Sequence, residues 1–130
     1  DGIRDTSVTG VQTCALPIFF VMDGPGYSPE SITGFVAAGA QLVFFTTGPG
    51  NSYCSAIAPT IKVSAHPQTP GRLPEQIDFD GSAILSKGED ADATAARLYA
   101  HALDVASGSA TWGEILGEGD EVFYRIGPSL

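Results

Sequence analysis

The stretch QLVFFTT at residues 41–47 constrains the fold of this 130-residue chain more than any other feature. Residues 42–45 are continuously apolar and lack the alternation of a strand that has one face in water. Such a strand is typical of a parallel sheet that is covered by helices on both faces. The run therefore predicts an α/β fold in which this strand is buried on both sides.

Two further stretches have the composition of strands. IFFVMD at residues 18–23 is a short apolar run ended by turn residues. TIKVSAH at residues 60–66 alternates, with Ile61 and Val63 on one face. Together with residues 41–47 they predict a small, mostly parallel sheet.

The segment between residues 18–23 and 41–47 predicts a helix. Ser28 is a candidate N-cap, Pro29 suits the first helical turn, and Gly39 suits the position just after the helix end. Strand, helix and strand joined by short loops predict a right-handed βαβ crossover. The expected apolar stripe of the helix comprises Ile32, Phe35 and Val36.

The second half of the chain predicts one long helix and little other regular structure. Residues 67–92 carry three prolines and predict a loop with one helical turn near residues 72–76. Residues 93–108 predict a helix that is capped by Asp90 or Asp92 and ends at Gly108. Its apolar face would comprise Ala95, Leu98, Ala102 and Val105, with Tyr99 and Ala106 beside it, and His101 would lie on the polar side. In the tail we expect Trp112, Ile115 and Leu116 to pack on the sheet, and EVFYRIG to form a strand or an extended segment.

Composition excludes several classes of function. Fifteen acidic against six basic residues give a net charge of −9, which repels phosphate backbones and anionic bilayers. We therefore expect neither nucleic acid nor a membrane as partner. Cys14 and Cys54 are too few for a disulfide framework, which favours free thiols in the reducing cytoplasm. No apolar run reaches the roughly 18 residues of a membrane span.

Residues 1–18 differ in character from the rest. DGIRD and VTGVQTCALPI resemble the in-frame translation of a common short-read sequencing adapter, with TS between two constant blocks. A signal peptide is disfavoured because Arg4 stands between Asp1 and Asp5 instead of in a basic region. We expect residues 1–18 to be adapter-derived, without structure, and residues 19–130 to come from a longer enzyme. The nucleotide sequence tests this directly.

Three stretches have the composition of a binding or catalytic site. Asp23 follows the first predicted strand and is a candidate base or metal ligand, or else it only caps its own turn. TTGPGNS at residues 46–52 offers hydroxyls and glycine N–H groups that suit a carboxylate, or it forms only a tight turn. Lys62 would anchor a substrate carboxylate or act as a base if it is buried, and would be an ordinary surface lysine if it is exposed.

Other polar residues form weaker patterns. Asp78 and Asp80 in IDFD point the same way if extended, so they either share a cation or are simply solvated. His66 and His101 have no acidic partners at metal-ligand spacing. The glycine loop at residues 46–52 lacks the lysine of a P-loop and the third glycine of a dinucleotide fingerprint, which disfavours a nucleotide binder.

Four motifs, taken in order, resemble a known family. VMDGPGYSP, TGFVAAGA, FFTTGPG and PTIK occur in the order and at the spacing of the C-terminal part of the altronate/galactarate dehydratase family, which includes the large subunit of sulfolactate sulfo-lyase. The resemblance covers nearly all of residues 19–130. It implies a Rossmann-like C-terminal α/β domain, truncated at its N-terminus, with a small, mostly parallel sheet and flanking helices.

The resemblance also implies a reaction. It would be the elimination of water from a sugar acid or a related 2-hydroxy acid, giving a 2-keto-3-deoxy acid. A divalent metal, Fe²⁺ or Mn²⁺, would hold the substrate, with ligands mostly outside this fragment, so no metal ligand is assigned. The partners would be the small anionic substrate and the missing N-terminal domains of the same enzyme, with self-association left open. The implied catalytic residues are Asp23, Tyr27 and Lys62; the implied substrate-binding residues are Thr46, Thr47, Gly48, Gly50, Asn51 and Ser52; Pro25, Gly26 and Pro59 belong to the same motifs.

The chain departs from the family pattern at Pro49. Sugar-acid dehydratases often carry an arginine there, and arginine is a natural clamp for a carboxylate. The departure favours a branch that acts on another 2-hydroxy acid. Two alternatives to dehydration stay open: a sulfo-lyase that releases sulfite from sulfolactate, and a non-catalytic assembly or binding domain.

Overall fold

The computed structural model describes residues 21, 22 and 24–123. Within this part of the chain the strands are β1 (Val43–Thr47), β2 (Thr60–Ser64) and β3 (Phe79–Asp80). The helices are α1 (Ser28–Ala37), α2 (Thr69–Arg72), α3 (Ala83–Lys87), α4 (Ala91–Ala106) and α5 (Trp112–Leu116). The three strands form one parallel sheet with helices beside it, which confirms the predicted α/β class.

The sheet has the order β1-β2-β3, so β2 is the central strand. In the parallel register Phe44 lies opposite Ile61, and Val63 lies opposite Phe79. β2 is buried at four of its five positions, whereas the Phe44 side chain in β1 is 48% exposed. The expectation that residues 42–45 are buried on both faces is therefore wrong, because β1 is an edge strand of the described sheet. Burial on both faces belongs to β2.

Two apolar clusters hold the helices against the sheet. The first contains Ile32, Val43 and Ala58, with Val36, Phe45 and Tyr53 packed against them. The second contains Ile61, Phe79 and Val105, with Leu42, Val63, Leu98 and Ala102 packed against them. α1 contributes to the first cluster and α4 to the second, which places these helices on opposite faces of the sheet.

The ends of α1 follow the prediction closely. Gly39 lies just past the helix with φ of 106°, and its N–H donates to the Val36 carbonyl at 2.9 Å. A left-handed backbone of this kind strongly favours glycine. The N-cap is Tyr27 and not Ser28, one residue earlier than predicted. The expected stripe is only partly correct, since Ile32 is buried but Phe35 is 40% exposed.

α4 confirms the predicted long helix. The Asp90 carboxylate accepts a hydrogen bond from the Ala93 N–H at 3.0 Å and so caps the first turn. Ala95 and Tyr99, expected on or beside the apolar face, are exposed. His101, expected on the polar side, is half-buried, and its ring centroid lies 6.4 Å from that of Phe79.

Other expectations are wrong or fall outside the described residues. Residues 67–92 contain α2, β3 and α3 instead of a loop with one turn. β3 has only two residues, which is too short for the alternating hydrophobic pattern by which a strand is predicted. Ile115 and Leu116 are 60% and 46% exposed, so they do not pack on the sheet. Residues 1–18, most of IFFVMD and its βαβ crossover, and the end of EVFYRIG lie outside the described residues. None of the helices described here is long and apolar enough to cross a membrane.

Candidate functional site

A cleft lies where β1 and β2 end, at the carboxyl edge of the sheet. We call it the strand-end cleft; it is lined by Thr46, Thr47, Gly48, Val63, Ala65 and His66. Open α/β sheets bind ligands at this edge. The volume of about 270 Å³ suits a small acid and is too small for a dinucleotide.

Side-chain hydrogen bonds shape the loop that enters this cleft. The Thr47 hydroxyl accepts the Gly50 N–H at 3.1 Å, which closes a tight turn. The Gly48 carbonyl accepts the hydroxyls of Thr69 at 2.6 Å and Ser64 at 3.3 Å. The Gly50 N–H is therefore used within the loop and does not point at a ligand, unlike the predicted convergence of glycine N–H groups.

We expect Gly50→Ala to lower the free energy of unfolding by about 2 kcal/mol, because Gly50 has φ of 99° and alanine there is strained. An added Cβ would also lie 2.4 Å from Cδ1 of Leu73 and 2.8 Å from Oε1 of Gln76. Gly48→Ala is the matched control, since nothing lies within 4 Å of its Cβ position. Urea denaturation of the two variants measures the difference, and equal midpoints would contradict the prediction.

A second cleft lies beside the same loop, and we call it the loop cleft. It encloses about 490 Å³ and is lined by Tyr27, Ser28, Pro29, Asn51, Ser52, Tyr53, Glu118 and Asp120. Glu118 and Asp120 give its wall negative charge, which disfavours an anionic ligand. The structure therefore divides the predicted site residues: Thr46, Thr47 and Gly48 line one cleft, and Tyr27, Asn51 and Ser52 line the other.

Lys62 lies fully buried in the centre of β2, with 0% exposure. Its Nζ donates to the Ser52 carbonyl at 2.9 Å and lies 3.4 Å from Oε2 of Glu118. The structure excludes the surface-lysine alternative and pairs the buried Lys62 ammonium with a Glu118 carboxylate that is 30% exposed in the wall of the loop cleft. A direct contact between Lys62 and a substrate stays a prediction.

Asp78 joins the central strand to α5. Its Oδ2 accepts the Lys62 N–H at 2.7 Å, and its Oδ1 accepts the Trp112 N–H at 2.8 Å. Asp80 instead accepts the N–H of Ser82 at 2.8 Å. Both oxygens of Asp78 accept main-chain N–H groups from distant segments, so this carboxylate links the central strand to α5.

A polar network fixes the segment that follows α5. The Thr33 hydroxyl donates to Oε2 of Glu121 at 2.8 Å, so the Tyr53 hydroxyl, 3.1 Å away, must donate to Thr33. The other Glu121 oxygen accepts the Ser55 hydroxyl. Burial raises the pKa of Tyr53, and the Glu121 charge raises it further. The network ties α1 to the segment at residues 53–55 and to the segment that follows α5.

Cys54 is a free thiol with 3% exposure that packs directly on α5. A Cβ added to Gly113 would lie 2.6 Å from its Sγ. Burial raises the pKa of the thiol, while the Lys62 ammonium opposes this rise and the Glu118 carboxylate supports it. The thiol is therefore held in its neutral and unreactive form.

We expect Cys54 to react with iodoacetamide at least about 100-fold more slowly in the native chain than in the urea-unfolded chain. A Cys14→Ser background leaves Cys54 as the single thiol. The raised pKa also makes stability depend on pH. The contribution of the neutral thiol to the free energy of unfolding is complete below about pH 8.5 and is lost as pH rises through the pKa of the folded state. Native and unfolded alkylation rates within threefold of each other would contradict the prediction.

Comparison with known proteins identifies the family. The model of the D-galactarate/altronate dehydratase C-terminal family matches residues 7–129 of the chain. The chain belongs to this family. The matched range includes residues 7–18, for which the adapter interpretation stays a prediction.

Two relatives show the breadth of the dehydratase family. The chain is 32% identical over 126 residues to the (2R)-sulfolactate sulfo-lyase subunit beta of Chromohalobacter salexigens, across 97% of the chain and 31% of that protein. It is 30% identical over 89 residues to the altronate dehydratase of Bacillus subtilis, across 68% of the chain and 18% of that protein. The chain thus spans less than a third of either relative, and both relatives are lyases by name.

The described part of this dehydratase-family chain does not fit the divalent metal that the resemblance implies. Within residues 24–123, no three His, Cys, Asp or Glu side chains come close enough together to hold a metal ion. Asp23, a predicted catalytic residue, lies outside the described residues. Metal ligands remain unassigned.

Sequence patterns missed the residues that connect the two clefts to the core. Glu118 and Thr69 act through long-range contacts, for which no local pattern exists. His66 had a usable signal, because it follows a predicted strand at the carboxyl edge of a parallel sheet.

Proposed function

We propose that the whole enzyme eliminates water from a small anionic 2-hydroxy acid and yields a 2-keto-3-deoxy acid. The proposal rests on membership of a lyase family together with the strand-end cleft, where three of the six residues expected to bind substrate lie together. The three are Thr46, Thr47 and Gly48. The Thr46 hydroxyl makes no hydrogen bond to any described residue, so it is available to a substrate oxygen.

A second candidate is the release of sulfite from a sulfonated 2-hydroxy acid. The observation in its favour is the 32% identity to a sulfo-lyase subunit across 97% of the chain. Pro49 adds to this, because the loop at the strand-end cleft lacks an arginine that would clamp a sugar acid. Both candidates break a bond at the carbon next to the acidic C–H, and they differ in the leaving group.

The test is an assay of the full-length enzyme on a panel of sugar acids and sulfolactate, with Fe²⁺ or Mn²⁺ supplied. A 2-keto-3-deoxy product without sulfite supports the dehydratase. Stoichiometric sulfite supports the second candidate. No product from any member of the panel would overturn both and would favour an assembly or binding domain.

We expect Thr46→Val to lower kcat/KM of the full-length enzyme at least about tenfold, because a hydrogen bond to a charged substrate oxygen is lost. The melting temperature should stay within about 1 °C, since the hydroxyl has no partner among the described residues. Thr47→Val is the contrasting variant, because it opens the turn to Gly50 and lowers stability. Unchanged turnover by Thr46→Val would indicate that the glycine loop is only a turn.

The metal and the location complete the proposal. We propose that the ligands of a divalent metal, Fe²⁺ or Mn²⁺, come from residues outside 24–123, since the described residues offer no cluster for it. A cytoplasmic location is supported by the free thiol of Cys54.

A further inference from the structure

His66 is the ionisable side chain of the strand-end cleft: the other described lining residues, Thr46, Thr47, Gly48, Val63 and Ala65, do not titrate near neutral pH. It lies two residues past the end of β2 and is exposed to the cleft. Its ring is nevertheless held on one side. Its hydrogen bonds to the described residues all involve Nδ1, which leaves Nε2 as the nitrogen available to a ligand.

The neutral ring has a defined tautomer. The Gln68 N–H donates to Nδ1 at 3.3 Å, so Nδ1 carries the lone pair and the proton is on Nε2. The cleft therefore meets an N–H donor even when the ring is uncharged.

The protonated ring also has a hydrogen-bond acceptor for Nδ1–H. The Thr69 hydroxyl lies 3.3 Å from Nδ1 and donates its own proton to the Gly48 carbonyl at 2.6 Å, so it can only accept from Nδ1–H. Thr69 is 2% exposed and fixed. When the ring is charged, the main-chain N–H of Gln68 loses its acceptor at Nδ1, and the Thr69 oxygen accepts from Nδ1–H in its place.

We propose that His66 is the general acid that protonates the leaving oxygen of a 2-hydroxy acid bound in the strand-end cleft. This inference rests on the proposed lyase function. A general base elsewhere in the enzyme removes the C2 proton, the C–H electrons form the C2–C3 double bond, and the C3–O bond breaks. The leaving oxygen takes the Nε2 proton and departs as water, and the enol tautomerises to the 2-keto acid. The imidazolium is left as a neutral ring with its proton on Nδ1, where it donates to the Thr69 hydroxyl, and uptake of a proton from water at Nε2 restores the imidazolium for the next turnover.

The chemistry explains why an acid is needed at this position. Hydroxide is a poor leaving group, and a positioned acid contributes about 10²- to 10⁴-fold to such a step. Fluoride and sulfite leave as stable anions and do not need that proton. A comparison of rates with the two kinds of leaving group therefore distinguishes a general acid from a residue that only shapes the cleft.

The experiment compares His66→Gln with wild-type full-length enzyme on its 2-hydroxy acid substrate and on the 3-deoxy-3-fluoro analogue. We expect kcat for water loss to fall at least about 100-fold with KM within threefold, and fluoride release to stay within about fivefold of wild type. The matched control is His101→Gln, since His101 packs on Phe79 and does not line the cleft, so both rates should stay unchanged.

Each other outcome overturns the proposal. Equal losses on the two substrates would make His66 a positioning residue, and a loss below threefold would remove it from the reaction. An inactive wild-type enzyme would overturn the proposed function and, with it, the role of His66 as an acid. An active wild-type enzyme with an unaffected His66→Gln variant would overturn only the role of His66. A ¹⁵N NMR measurement on the chain at neutral pH adds a readout without turnover: the Nε2–H tautomer of His66 is expected, and the Nδ1–H tautomer would contradict the geometry.

Discussion

Asp78→Ala should lower the free energy of unfolding by about 3–4 kcal/mol, because it removes two charge-assisted hydrogen bonds to main-chain N–H groups. One of these belongs to Lys62 in the buried central strand, and the other opens α5 at Trp112. The Lys62 N–H would be left without a partner in the sheet, where water does not reach it. Urea denaturation of the full chain measures the loss.

Asp80→Ala is the matched control for this prediction. The two aspartates flank Phe79, but Asp80 is exposed and holds only the nearby N–H of Ser82 at 2.8 Å. Its loss should cost about 1 kcal/mol. Asp78→Asn should fall between the two, because the amide keeps one acceptor and presents a donor to the other N–H. Equal costs at the two aspartates would contradict a joining role for Asp78.

The second large effect is expected at the ion pair between the buried Lys62 ammonium and Glu118. Glu118→Gln should cost about 3 kcal/mol, because the Lys62 ammonium, with 0% exposure, would lose its carboxylate partner. Lys62→Met should cost less, about 1–2 kcal/mol, since methionine fills the volume and Glu118, which is 30% exposed, can be hydrated. The loss that remains arises because the Ser52 carbonyl no longer accepts a hydrogen bond from Lys62.

A double-mutant cycle tests this asymmetry. The variant Lys62→Met/Glu118→Gln should be no less stable than Glu118→Gln alone, because the unpaired charge has gone. The coupling would then be about 1–2 kcal/mol. Additive losses, or a larger loss for Lys62→Met than for Glu118→Gln, would show that the pair is hydrated and contributes little.

Local patterns account for the elements whose signals are contained in adjacent residues. The two longer strands at residues 43–47 and 60–64 and the long helix capped by Asp90 were predictable, because propensity, capping and turn chemistry all act within a few residues. The two-residue strand β3 was not predictable, because it is defined only by pairing with β2.

Burial was harder to predict than secondary structure. Residues 42–45 have the composition of a central strand, yet Phe44 is half exposed because β1 lies at the edge of the described sheet. Strand order depends on how distant segments pair, and apolar composition alone does not report it. The same limit applies to Ile115 and Leu116 in α5.

The sequence alone determined the α/β class, the parallel sheet and the family, since hydrophobic period and ordered motifs are carried by the residues themselves. Only the tertiary structure decided which polar groups meet. It separated the predicted site residues into two clefts, buried the Lys62 ammonium against Glu118, and placed His66 beside Thr69 in the cleft that Thr46 lines. Those contacts join segments far apart in the chain, and their geometry depends on the register of the whole sheet.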